Sequence, residues 1–298
     1  MVSRRRGPRS CGPRRAVVVR AAAGVLGAVV VVTSTGCAER GAAADDRPAD
    51  DHLTTVRQAA DLLVRAGTSR TRTTLHTASG GTRVTITGHG RFDYANRRGT
   101  LVVTPPDEEL GGTGGEPITE LLTPGALHMK NRGAGVPDGT WVRVDTTRLA
   151  DGNLLANGAT DPLRAAELLR GAVAVAYEGQ ERLGGTDVRH YSGTAALAAA
   201  ARAAARARGG SAGELAAAAE GFGTDVFTFD AWFDREGRLR KVRHRFPDVS
   251  VTSTTTLFDF GVPVTVRMPD PADIYTGRIE AVPDDGSGTG ARTGHSTS

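Results

Sequence analysis

Cys37 is the residue in this chain whose setting most clearly points to chemistry. Four small residues, Thr33-Ser34-Thr35-Gly36, lead into it, and residues 21–32 ahead of them (AAAGVLGAVVVV) are wholly apolar. Before that run, Arg4 to Arg20 hold seven arginines and no acid. A basic stretch, an apolar stretch and then small residues make up an export signal with its cleavage site. A cysteine placed directly after the cut offers a thiolate that a diacylglyceryl group can alkylate.

The pattern resembles a bacterial lipobox, with Gly36, Thr35 and Ser34 at −1, −2 and −3; Ser34 stands where leucine is usual. The alternatives are an ordinary secreted protein or an uncleaved single-span anchor. The apolar run is short for a span of about 20 residues, and Arg20 stops it from extending upstream. Arg14-Arg15 also matches a twin-arginine signal core, so Sec and twin-arginine export both remain open. Residues 1–36 are therefore read as a lipoprotein signal peptide, which places the mature chain on the extracytoplasmic face of the membrane.

Removing that segment reverses the charge. The chain has 37 basic against 33 acidic residues; without the seven signal arginines it has 30 against 33, a net of −3. The basic isoelectric point belongs to the signal and argues for no nucleic-acid partner. Cys11 falls in the signal and Cys37 would be acylated, so no disulfide, thiolate metal site or cysteine nucleophile is expected.

Residues 37–52 are polar, alanine-rich and contain Pro48, the composition of a flexible tether. Residues 278–298 are rich in Gly, Ser and Thr without apolar periodicity and read as a disordered tail. Residues 53–277 are then one domain. It opens with a helix, since Leu53, Val56, Ala59, Ala60, Leu63 and Val64 recur at helical spacing and Gly67 can end it. Strands follow. Val84, Ile86, Phe92 and Tyr94 alternate with Thr85, Thr87, His89, Arg91 and Asp93, the period of a sheet with one covered face. Thr100 to Thr104 and Trp141 to Asp145 read as further strands. Val226 to Asp234 and Arg238 to Phe246 form a hairpin about Arg235-Glu236-Gly237, with Phe227, Phe229, Ala231 and Phe233 on one side. Val249 to Phe260 adds another strand. Asp161-Pro162 starts a second helix through Leu163, Ala166, Leu168 and Leu169. The alanine-rich segment 195–220 reads as inserted, solvent-facing helix, with a mobile flap over a pocket as the alternative.

Other patterns with chemical potential lack their context. Gly209-Gly210-Ser211-Ala212-Gly213 matches G-x-S-x-G, but a helical segment precedes it where a nucleophile elbow needs a strand. The seven histidines show no metal-ligand spacing, and His89 and His244, on strands in polar company, are expected at the surface. Gly111 to Gly115 lacks the Lys-Ser/Thr of a phosphate loop and reads as a long loop. No catalytic residue, metal ligand or cofactor is predicted.

Many one-faced strands with few apolar helices imply an α+β fold: a strongly curved antiparallel half-barrel packed around helices. If the helices leave the concave face unfilled, an apolar cavity remains. Several features in order then become familiar: Asp138-Gly139-Thr140-Trp141-Val142-Arg143-Val144-Asp145, the helix after Asp161-Pro162, the D-x-x-G-x-L of Asp234, Gly237 and Leu239, and Leu257-Phe258-Asp259-Phe260-Gly261-Val262-Pro263-Val264. With the lipobox in front, this layout resembles the actinobacterial LppX/LprG-type lipoproteins, whose fold is like the LolA lipoprotein carrier. The resemblance implies a hydrophobic pocket that takes up acyl chains in some members, and no catalytic residues. The expected cavity lining is Val84, Ile86, Trp141, Phe227 and Phe229, and the expected ligand a lipid, glycolipid or other hydrophobic molecule. The alternative function is a sensory or interaction lipoprotein that contacts a membrane-protein partner.

Overall fold

The computed structural model describes residues 49–79, 82–104, 117–130, 136–149, 154 and 161–276. Cys37, the signal, residues 37–48 of the tether, Gly111 to Gly115 and the tail lie outside the described residues.

Among the described residues, eleven strands form one open antiparallel sheet. They are β1 (Thr68–Ser79), β2 (Thr82–Asp93), β3 (Arg98–Thr104), β4 (Ile118–Thr123), β5 (Ala126–Lys130), β6 (Trp141–Asp145), β7 (Ala172–Leu183), β8 (Thr186–Ala196), β9 (Val226–Phe233), β10 (Leu239–Phe246) and β11 (Val251–Phe258). The order across the sheet is β6-β5-β4-β3-β2-β1-β11-β10-β9-β8-β7. Two meanders thus meet where β11 pairs with β1, and the edges β6 and β7 stay separate. Irregular register in β7–β8 and in β9–β10 adds local twist and bend, which helps the sheet to curl.

Among the described residues, five α-helices lie on the inner face: α1 (Ala49–Arg57), α2 (Ala59–Ala66), α3 (Pro162–Leu168), α4 (Leu197–Ala204) and α5 (Ala212–Gly221). The first begins four residues before the expected start, and Gln58 divides the single expected helix in two. Gly67 ends it at φ +82°, its N–H donating to the Leu63 and Val64 carbonyls. At α3, Asp161 accepts from the N–H of Leu163 and of Arg164 and Pro162 takes the first turn, as expected of that pair.

The alanine-rich segment departs from expectation. It is not a solvent-facing insertion: Leu197, Ala200, Ala204, Leu215 and Ala218 are buried in the main core. Alanine buries little area by itself, but its small side chain lets α4 come close to α5 and to the β7–β8 end of the sheet. The α+β half-barrel built around helices is the architecture observed.

Candidate functional site

Strand alternation decides which side chains meet inside the curl. In β2, Val84, Ile86 and Phe92 face inward, and Arg83, Thr85, Thr87, His89 and Arg91 face outward. In β9, Phe227, Phe229, Ala231 and Phe233 face inward. Pairing across the strands links the two sets. One row runs Ile86, Leu75, Ser253, His244, Phe229, Gly193. The adjacent row runs Val84, Thr77, Val251, Phe246, and the Phe246 ring meets that of Phe227 at 5.1 Å between centroids. Four of the five expected lining residues therefore share one face on two neighbouring rows.

The rows are unevenly covered. Phe227 and Phe229 are each 1 % exposed, with Phe222 stacked on Phe246 beside them. This half of the concave face is filled by the protein's own rings. At the other end Val84, Ile86 and Thr77 are only half-buried, which makes a lip around the tip of the β1–β2 hairpin.

Trp141 belongs to the other face. Val142 pairs with Met129, both buried toward the core, so Trp141 pairs with Lys130 on the outside. There its carbonyl accepts from the Tyr275 N–H at 2.8 Å. Val142 occupies the inward position that the sequence reading gave to Trp141.

Between lip and filled half lies a polar floor. Ser69, Thr71 and Thr73 of β1, Ser253 and Thr255 of β11 and His244 of β10 are all buried on the inner face. The hydroxyls of Thr71, Thr73 and Thr255 have no hydrogen-bond partner among the described residues. Buried polar groups are nearly always bonded, so such a group is a feature to be explained. His244 corrects the expectation of a surface histidine. It is 1 % exposed, its ring meets those of Phe227 and Phe246, and burial pushes its pKa down to about 3. His89 is exposed on the outer face, as expected.

The sequence reading missed this floor because its residues are not hydrophobic. The signal was still present: Ser69, Thr71 and Thr73 alternate with Arg70, Arg72 and Thr74, which is period two written in hydroxyls and cations.

Ser211 has no elbow around it. It follows α4 rather than a strand, and the Arg97 guanidinium donates to its Oγ at 2.6 Å. Arg97 also pairs with Glu167 at 3.3 Å, and Glu167 accepts from the Ser211 N–H at 3.2 Å. The buried Ser211 is thereby a joint between α3, α5 and the β2–β3 turn. Among the described residues no group of three His, Cys, Asp or Glu is placed to hold a metal ion. The inner face can offer dispersion contact, apolar burial and hydroxyl hydrogen bonds.

No known family matches the sequence, and no curated protein sequence matches it. Solved structures of similar shape include the lipoprotein LppX of Mycobacterium tuberculosis, 14% identical over 74% of this chain and 100% of that one, at a TM-score of 0.47. LprF of Mycobacterium bovis is 13% identical over 74% of this chain and 98% of its own, at 0.46. MucB in complex with MucA(peri) is 12% identical over 79% and 65%, at 0.31.

Proposed function

We propose that the chain is a lipoprotein, anchored on the extracytoplasmic face through acylated Cys37, whose half-barrel binds a lipid or another hydrophobic molecule without catalysis. The observation that carries the binding part is the graded inner face. Half-buried Val84 and Ile86 form an apolar lip, and the row from Ile86 continues through buried Leu75 onto the polar floor of Ser253 and His244. Such a surface suits an amphiphile whose hydrocarbon rests on the lip; Ser253 and His244 are buried under the helices, at 3 % and 1 % exposure, so a polar group reaches the floor only when that cover opens. Moving an acyl chain from bilayer to protein exchanges one apolar environment for another, each worth about 0.8 kcal/mol per CH₂ relative to water. The two nearly cancel, as reversible carriage or presentation requires.

The anchor follows from the sequence around Cys37. A diacylglyceryl group supplies the two chains that stable anchoring needs. Cys37→Ala should abolish metabolic labelling with palmitate; labelling that persists refutes the anchor.

Native mass spectrometry of the chain lacking residues 1–37 tests the binding. Near-stoichiometric co-purified lipid, or uptake of an added fatty acid lost in Ile86→Asp, supports it. A domain that takes up neither overturns it. The burial of Phe227 and Phe229 favours a second reading, in which the inner face is closed and the domain is a sensory or interaction module for a membrane-protein partner. That reading predicts an empty domain which crosslinks to such a partner in intact cells.

A further inference from the structure

The outer face of the same sheet is basic. Alternation in β1, β2 and β10 turns Arg70, Arg72, Arg83, Arg91, Arg243 and Arg245 away from the core. Arg70 stands directly opposite Arg91, and Arg72 opposite His89. The Arg70–Arg91 pair sets like charges face to face, which destabilises a sheet, so that pair does not stabilise the fold. Asp259 approaches Arg70 at 3.6 Å and Asp230 approaches Arg245 at 2.7 Å. Arg72, Arg83, Arg91 and Arg243 have no ion pair among the described residues.

These cations are concentrated on one face of a chain that nets −3 after its signal is removed. Threonines fill the spaces between them, and a groove of 660 Å³ runs among Arg83, Arg243, Arg245, Thr85, Thr252 and Thr254 and continues around the strand ends to Thr77 and Val84 of the lip. Guanidinium forks with hydroxyls beside them recognise phosphate oxygens, the guanidinium often in bidentate fashion.

We propose that this outer face docks the domain on the anionic phosphate headgroups of the membrane that holds the Cys37 anchor. The proposal rests on the anchored reading above. The thirteen residues from Cys37 to Ala49 reach at most about 43 Å when fully extended, so the domain stays close to the bilayer. Tethering converts docking into an intramolecular event at high effective concentration. A handful of surface cations, weak on their own, then suffices.

The full lipidated chain reconstituted in vesicles tests this. Cys11 leaves with the signal and the Cys37 thiol is consumed, so a single Thr87→Cys on the exposed outer face can carry a fluorophore. Ala205→Cys, exposed beyond α4 on the helical side, is the control position. The readout is energy transfer to an acceptor dye in the bilayer. With about one-third phosphatidylglycerol in the vesicles, transfer from position 87 should be roughly double that from position 205. It should fall to the control level in vesicles of phosphatidylcholine alone, at about 0.5 M salt, or in the Arg72→Gln/Arg83→Gln/Arg243→Gln variant. The salt arm uses the unaltered arginines and so stands even if that variant folds poorly.

Equal transfer from both positions on anionic vesicles overturns the proposal. So does a label that answers soluble polyphosphate but not the vesicles, since the face would then take a soluble polyanion. Flotation with phosphatidylcholine vesicles reports the anchor separately. A chain that fails to float there has lost the anchored reading, and its salt-sensitive flotation with anionic vesicles would still support the docking face.

Discussion

Gly193 lies beneath the ring of Phe229. A β-carbon on Gly193 would stand 2.7 Å from the Phe229 Cζ and 2.1 Å from the Ala174 carbonyl oxygen. The ring occupies the space that a side chain on β8 would need, so the filled half of the concave face depends on this glycine. Gly193→Ala should destabilise the domain by about 1–3 kcal/mol, the usual cost of overpacking, measured by urea unfolding. Adding Phe229→Ala should relieve the ring contact but not the backbone clash. Full additivity of the two losses would contradict this account.

The two ends of the inner rows should respond differently to truncation. Phe227→Ala or Phe229→Ala should cost about 3–5 kcal/mol, since each empties a filled site. Val84→Ala and Ile86→Ala, at half-buried positions, should cost about 1 kcal/mol yet weaken uptake of a fluorescent fatty acid. If the phenylalanine variants were stable and lost uptake instead, the binding surface would lie at the β9 end.

His244 makes stability depend on pH. Burial holds its folded pKa at about 3, below the ordinary 6.5. Below pH 6.5 the unfolded chain takes up a proton that the folded chain refuses. Its contribution is therefore complete above pH 6.5 and declines as the pH falls toward 3. The slope approaches about 1.4 kcal/mol per pH unit for one proton. His128, also lowered by burial, acts in the same direction. Asp161, raised by burial, acts in the opposite one as it takes its proton early. His244→Leu should flatten the decline between pH 6 and pH 4 in denaturant midpoints; an unchanged slope would show that His244 is hydrated.

Ser211→Ala removes the acceptor of the Arg97 hydrogen bond and leaves part of a buried ionic joint unsatisfied. A loss of about 1–3 kcal/mol is expected. Any background of ester hydrolysis should be the same before and after the change. A drop in hydrolysis without a drop in stability would mean that the serine is a nucleophile after all.

Much of the fold was legible where one face is hydrophobic. The β9–β10 hairpin, the alternation of β2 and the Asp161-Pro162 helix start all emerge where the sequence places them. The strand β1, at the centre of the sheet, left little hydrophobic trace because three of its inner residues are Ser69, Thr71 and Thr73, with Leu75 the one large apolar side chain among them. The same substitution of hydroxyls for hydrocarbon concealed the polar floor.

Trp141 shows a different limit. In the five residues Trp-Val-Arg-Val-Asp, alternation separates Trp141 from Val142 but does not say which of them faces the core. The register with Met129 settles that, and it is a long-range fact. The α4–α5 pair was hidden by composition. Alanine carries little apolar area, and only the close approach of two helices and a sheet turns it into core.

After β11 the chain turns back across the outside of the sheet. The Gly261 N–H donates to the Thr68 carbonyl, Pro263 to Thr265 lie along β2 and β3, and Ile274 bridges to Trp141 of the outermost strand. An open sheet exposes two ladders of unsatisfied amides, and either could recruit a strand from a neighbouring copy. The returning segment puts a stopper on one ladder, while Glu178, Glu181 and Arg182 place exposed charges along the other. Molecules crowded side by side are thereby discouraged from zipping into fibrils, and cutting away residues 261–276 would uncover a sticky margin at β6.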